Sequence, residues 1–139
     1  MTLDNEEPEW IELSVPGASL AMASDGPVGY GHPARVRLNA GEVRLERRCE
    51  FVDLPTFCNR LSVLHATLSG RAELNSLDRD VALSLTAHDH GHVQIAAKFA
   101  ERIGGPFDYD FNVTFEIDQS YLPSLLSRLK AEFLNRARP

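Results

Sequence analysis

The sequence predicts one α+β domain, in which a twisted antiparallel sheet of about six to eight strands carries two helices packed on one face. Three observations lead to this prediction. Several segments alternate apolar and polar residues, as strands do when one face is buried and the other faces water. Two segments repeat apolar residues at helical spacing. The segments follow one another as strands, helix, strands, helix, so the helical stripes can cover the apolar face of the sheet.

Before the first helix, the chain holds four predicted strands separated by turn-forming residues. Pro16–Gly17 turns the chain after the first strand, and Asn39–Gly41 turns it after the third. The loop between the second and third strands has a glycine-rich stretch, but it lacks the lysine and the following helix of a phosphate-binding loop. Arg47 is the one charged residue on the apolar side of the fourth strand. The four strands are predicted at residues 10–15, 19–23, 34–38 and 43–51.

Capping residues and apolar stripes predict two helices. The first is predicted between Asp53, a suitable N-cap, and Gly70, which ends it. The second begins at the cap Ser120. The first stripe comprises Leu54, Phe57, Cys58, Leu61, Leu64 and Leu68, and the second comprises Leu122, Leu125, Leu126, Leu129 and Phe133.

Four further strands are predicted between the two helices. The last is the clearest, because apolar residues from Phe107 to Ile117 alternate with polar ones without a break. A tight turn joins the two strands before it. The four strands are predicted at residues 71–75, 81–87, 93–99 and 107–117.

The length of 139 residues is usual for one domain, and the charge is unevenly placed along it. Residues 1–9 form an acidic segment that is predicted to fray, which leaves residues 10–139 as a single α+β domain. The first 34 residues hold six acids and no Lys or Arg, so they carry the whole net charge of −6. An acidic chain repels nucleic acid, which is therefore not an expected partner.

The N-terminus and the two cysteines indicate the cellular compartment of the protein. The N-terminus is acidic and polar, unlike an export signal, and no apolar run approaches the about 20 residues that span a bilayer. Cys49 and Cys58 fall within apolar patterns; one disulfide is possible, but two buried thiols in a reducing compartment fit the pattern better. We therefore expect a cytoplasmic protein without membrane contact.

Four arginines are predicted to share the polar face of the third and fourth strands: Arg35, Arg37, Arg44 and Arg48. If residues 38 and 43 pair, Arg37 lies directly opposite Arg44. Opposed like charges repel each other, so an acidic group is expected between them. That group is either a carboxylate of this chain, such as Glu42, or an acidic partner bound at the four arginines.

The run His88-Asp89-His90-Gly91-His92 is a candidate metal site at the tight turn. If its three central residues form the turn, with Gly91 in the left-handed conformation, His88 and His92 become cross-strand neighbours on the polar face. Two imidazoles could then share zinc, nickel or copper, with Asp89 or His90 nearby. The alternative is a protruding hairpin tip with solvated histidines.

No catalytic residues are predicted. No serine lies in a nucleophile elbow, and the spacing indicates no Cys–His pair. An enzyme with an unrecognised site is therefore kept only as a third interpretation, and no cofactor is expected.

Short signatures in the middle and end of the chain resemble a bacterial domain family of unknown function, whose relatives are labelled WapI-type immunity proteins. The resemblance covers roughly residues 34–135. The acidic head and the dipeptide Asp89–His90 depart from the family pattern. The signatures lie at Leu68–Leu74, Val81–Leu85, Gly91–Val93 and Asp118–Leu122.

The resemblance implies a non-enzymatic protein-binding module of immunity type, which neutralises a polymorphic toxin by binding its toxin domain. It also implies that the toxin is made beside this protein, from a neighbouring reading frame. The family offers no catalytic residues to transfer onto this chain. The alternative, which rests on the residues alone, is a metal- or small-ligand-binding domain that uses His88 and His92. The long exposed strands also leave a homodimer open.

Overall fold

The computed structural model describes residues 9–101 and 108–135. They form one open antiparallel sheet of eight strands, whose order in space is their order in the chain. The predicted α+β class and the strand number are therefore confirmed. The strands are β1 (Ile11–Val15), β2 (Ala18–Ser24), β3 (His32–Ala40), β4 (Val43–Val52), β5 (Arg71–Ser76), β6 (Val81–Ala87), β7 (His92–Glu101) and β8 (Tyr109–Asp118).

Two helices pack on one face of the sheet, as predicted. Helix α1 (Leu54–Thr67) connects β4 to β5 and packs against β5 and β6. Helix α2 (Leu122–Leu129) follows β8, packs against α1 and β1, and continues as a π-helical turn. Proline in the first turn of each helix is tolerated, because the first backbone N–H groups have no helical partner.

The ends of α1 differ from the prediction. Asp53 holds the N-cap position, but its backbone is left-handed and its side chain makes no capping hydrogen bond. Leu68, rather than Gly70, supplies the left-handed residue that ends the helix. Its side chain is exposed instead of joining the buried stripe.

The sheet consists of two halves that are joined over a short length. Strands β4 and β5 pair only through Phe51 with Ser76 and Val52 with Asn75. The strands within each half pair along most of their length. We call β1–β4 the first half-sheet and β5–β8 the second half-sheet. One apolar core nevertheless includes residues of both half-sheets and both helices.

The outer strands of the sheet lie near each other without pairing. Strands β1 and β8 come close, but they share no hydrogen-bond ladder within the described residues. The homodimer stays a prediction. Fraying of the N-terminal segment also stays a prediction, because residues 1–8 lie outside the described part of the chain. The predicted start of the last strand, Phe107, lies outside it too. Within residues 9–101 and 108–135, no helix is long and apolar enough to cross a membrane.

Candidate functional site

The four predicted arginines lie on the outer surface of β3 and β4, on the side opposite the core. Alternation places them there, since the residues that separate them on β3 point inward and are fully buried. We call the surface formed by these side chains the arginine face. It comprises Arg35, Arg37, Arg44 and Arg48.

The predicted pairing of these arginines is wrong by two residues. Ala40 pairs with Val43, so the hairpin turns at residues 41–42, where Gly41 is in the left-handed conformation. This register places Arg37 opposite Glu46 rather than opposite Arg44. A shift of two residues keeps every side chain on its face, which is why the arginines still share one surface.

Glu46, rather than the expected Glu42, is the carboxylate that Arg35 and Arg37 share. Its Oε2 accepts hydrogen bonds from Nε and Nη2 of Arg35 at 3.1 and 2.8 Å, and its Oε1 accepts one from Nε of Arg37 at 3.1 Å. These hydrogen bonds, from Arg35 and then Arg37, lower the pKa of the Glu46 carboxyl. The carboxylate therefore stays charged and holds both guanidinium groups in place.

Trp10 covers the same two arginines. The guanidinium carbon of Arg37 lies 3.9 Å from the centre of the Trp10 ring, and that of Arg35 lies 5.4 Å from it. A planar guanidinium stacks favourably on an indole face. Arg35 and Arg37 are therefore fixed between an aromatic ring and a carboxylate.

The other two arginines are less constrained. Nε of Arg48 lies 3.7 Å from Oδ2 of Asp25, and 74% of the Arg48 side chain is exposed. Arg44 is exposed opposite Asn39 on β3, and no described residue forms an ion pair with it. Arg44 and Arg48 thus retain hydrogen-bond donors for a partner.

The histidine hairpin adopts the predicted turn with one difference. Residues 89–91 form a single turn between β6 and β7, and Gly91 is left-handed as expected, but so is His90. His88 and His92 flank one carboxylate from β8: Nδ1 of His88 lies 2.9 Å from Glu116, and Nδ1 of His92 lies 4.0 Å from it. Strand β8 therefore places the Glu116 carboxylate beside both imidazoles.

The pattern of the immunity protein WapI-like family matches residues 2–135, which is nearly the whole chain. The chain belongs to this family. The match confirms the predicted resemblance and extends it to the N-terminal strands. No curated protein and no solved structure matches the chain significantly. The family indicates an immunity-type function, which implies a protein partner.

The metal site stays a prediction in this WapI-like protein. Within the described residues, no three or more His, Cys, Asp or Glu side chains gather closely enough to hold a metal ion. The carboxylate that the structure places beside His88 and His92 belongs to Glu116, not to the predicted Asp89.

The cysteines of this WapI-like protein are free thiols rather than a disulfide. Burial raises the pKa of the Cys49 thiol to about 12. Burial also raises the pKa of Cys58. A raised pKa lowers the fraction of thiolate near neutral pH, and the thiolate is the nucleophilic form.

Arg47, the charged residue on the apolar side of β4, connects the two half-sheets. It forms ion pairs with Asp80, in the turn before β6, and with Glu101, at the end of β7. It also donates a hydrogen bond of 3.2 Å to the hydroxyl of Tyr109 on β8. Burial alone would lower the pKa of Arg47, but hydrogen bonds to Glu101, Asp80 and Tyr109 raise it. Its charge is therefore satisfied within the protein, whereas Arg48 has only the contact of 3.7 Å with Asp25 and Arg44 has no ion pair with a described residue.

Proposed function

We propose that this protein is a non-enzymatic immunity-type module of the cytoplasm, which neutralises a polymorphic toxin by binding the toxin domain through the arginine face. The family match over residues 2–135 carries the functional part of the proposal. The arrangement of the arginine face supports its location, because arginine and aromatic side chains supply a large share of binding energy in protein interfaces.

The two fixed arginines reduce the entropic cost of binding. A long side chain that is ordered only on association loses about 0.5–1.5 kcal/mol of conformational freedom. Trp10 and Glu46 already hold Arg35 and Arg37 in the free protein. These two residues can therefore contact a partner without that full cost.

The two open arginines specify the chemistry of the partner. A guanidinium binds a carboxylate through two parallel hydrogen bonds, and such bonds are stronger than those between neutral groups. Arg44 and Arg48 lie on the same strand and the same face, so they fit two acidic side chains of the toxin domain. The chain as a whole carries a net charge of −6, which disfavours polyanions that lack this local match.

The test is the affinity for the toxin domain encoded in the neighbouring reading frame, measured by isothermal titration calorimetry. Reversing two charges in the variant Arg44→Glu/Arg48→Glu should weaken binding by at least about tenfold, because attraction to the acidic side chains becomes repulsion. Co-expression of the same toxin domain with this variant should also protect cells less well than co-expression with the wild type.

A matched control variant reverses two arginine charges outside the arginine face. Arg60 on α1 and Arg128 on α2 are exposed, so Arg60→Glu/Arg128→Glu should bind within about threefold of the wild type. Equal losses in both variants would rule out a specific role for the arginine face. A wild-type protein that neither binds the toxin domain nor protects cells would exclude the immunity function itself.

A further inference from the structure

The glycine-rich loop between β2 and β3 carries two exposed apolar side chains. Tyr30 has 94% of its surface in water, and Val28, in the same loop, is 44% exposed. An isolated apolar residue on a surface needs no explanation, but tyrosine is enriched in protein interfaces, where its ring is buried against the partner.

The loop is held in shape by hydrogen bonds and an ion pair. At its base, the backbone N–H of Asp25 donates to the carbonyl of Pro33 at 2.9 Å, and the Asp25 carboxylate contacts Arg48. Near its tip, the N–H of Gly29 donates to the carbonyl of Gly31 at 3.0 Å. The N–H of Gly31 lies 3.4 Å from a carboxylate oxygen of Glu50, which ties the loop to β4.

The glycines allow the loop to lie directly against β4. A Cβ atom at Gly31 would lie 2.5 Å from the carbonyl oxygen of Phe51, which is too close for any side chain. The backbone at Gly31, next to Tyr30, is therefore pressed onto the strand, whereas 94% of the Tyr30 surface lies in solvent. The phenol therefore projects outward.

We infer that Tyr30 is an anchor residue, which inserts into an apolar pocket on the toxin domain while Arg48, beside the loop, pairs with a carboxylate at the rim of that pocket. This inference rests on the proposed function and adds a contact that the arginines alone do not provide. Because Tyr30 protrudes, its binding site on the partner must be concave.

The surroundings of Tyr30 favour a protein partner of this kind. Tyrosine buries a large, rigid surface at a low cost in side-chain entropy. Arg48 has several donors left, since Asp25 contacts it only at 3.7 Å. The loop adjoins the arginine face through this contact, so one partner can cover both. A second copy of this chain is the competing occupant of the loop.

The test compares Tyr30→Ala and Tyr30→Phe by calorimetry against the toxin domain of the neighbouring reading frame. Loss of an aromatic anchor should weaken binding by at least about tenfold in Tyr30→Ala, whereas Tyr30→Phe, which keeps the ring, should bind within about fivefold of the wild type. Val63 on α1 is exposed by 59%, so Val63→Ala serves as the control and should leave the affinity unchanged.

The outcomes separate this inference from the proposed function. If Tyr30→Ala binds as tightly as the wild type while Arg44→Glu/Arg48→Glu binds weakly, the anchor is excluded and the immunity function stands. If the wild type does not bind the toxin domain, both fail. A wild-type dimer in sedimentation experiments that Tyr30→Ala converts to monomers would assign the loop to self-association instead. Thermal unfolding should be the same for Tyr30→Ala and the wild type, because the side chain is exposed.

Discussion

At the scale of single residues, Arg47 shows how one side chain can join distant parts of the sheet. Its partners Asp80, Glu101 and Tyr109 follow it by 33, 54 and 62 residues. Asp80 is itself held by the hydroxyl of Ser76, which donates to its Oδ1 at 2.6 Å and accepts a hydrogen bond from the N–H of Val81. The ion pairs therefore link β4 to the turn between β5 and β6 and to the end of β7.

Replacement of Arg47 by methionine should lower the free energy of unfolding by about 2 kcal/mol. The substitution leaves two neighbouring carboxylates without their cation. A fully buried pair would lose more, but the Arg47, Asp80 and Glu101 side chains keep 23, 16 and 17% of their surface exposed, so water screens part of the effect.

Urea unfolding measures this difference, and Arg44→Met is the matched control. Arg44 is exposed and has no ion pair with a described residue, so its replacement should change stability by less than about 0.5 kcal/mol. Equal stability of the two variants would show that the Arg47 ion pairs add nothing to the fold.

The sequence identified Arg47 as an exception but did not give its role. Alternation along β4 is enough to place a charge on the apolar side. The partners could not be found in the same way, because they lie in a turn and at two strand ends that only the folded sheet brings together. Trp10 was missed for the same reason, since it reaches the arginines only once β1 pairs with β2 and β2 with β3.

At the scale of structural elements, turn prediction succeeds for the histidine hairpin and fails by two residues for the β3–β4 hairpin. The left-handed Gly91 followed from the run of five residues, because Asp89 and Gly91 are both turn-forming residues and glycine readily adopts the left-handed conformation. In the β3–β4 hairpin, the alternation of apolar and polar residues is compatible with both the predicted register and the observed one. A shift by two residues leaves the same side chains exposed. Only the hydrogen-bonded register distinguishes them.

The loop from Asp25 to Gly31 depends on glycine at one position more than at another. Gly31→Ala should lower stability by about 2 kcal/mol, because the new methyl group would meet the backbone carbonyl of Phe51, which cannot move without distorting β4. Gly29→Ala should cost less than about 1 kcal/mol, because its Cβ would meet only the flexible carboxylate of Glu50, at 3.2 Å.

Thermal unfolding of the two glycine variants provides the measurement. Gly29→Ala is a control for the general effect of a methyl group in this loop. If both variants unfold at the same temperature, the loop is not pressed against β4 as the structure describes.

At the scale of the whole molecule, the two half-sheets share one core in spite of their short junction. Residues of β1, β2 and β3 belong to the same buried cluster as residues of β6, β7 and both helices. The fold class could be predicted because alternation and helical stripes each report which face is buried. The narrow junction between β4 and β5 could not be predicted, since nothing in the two strand patterns shows how far they pair.

A shared core predicts that the half-sheets unfold together. The chain has a single tryptophan, Trp10, which lies on the first half-sheet, so its fluorescence reports that half, whereas far-ultraviolet circular dichroism reports the whole sheet. Both signals should give the same urea midpoint, as expected for a two-state domain of this size. Midpoints that differ beyond the error of the fits would mean that the half-sheets are separate folding units.

The order of the strands also affects how the protein is made. Each strand pairs with the strand that precedes it in the chain, so a growing polypeptide can add every new strand to one that has already left the ribosome. Helix α2 is the exception, because it follows β8 in the chain and yet packs against β1. The sheet can therefore assemble strand by strand, but α2 cannot cover the apolar face of β1 until all eight strands and α2 itself have been made.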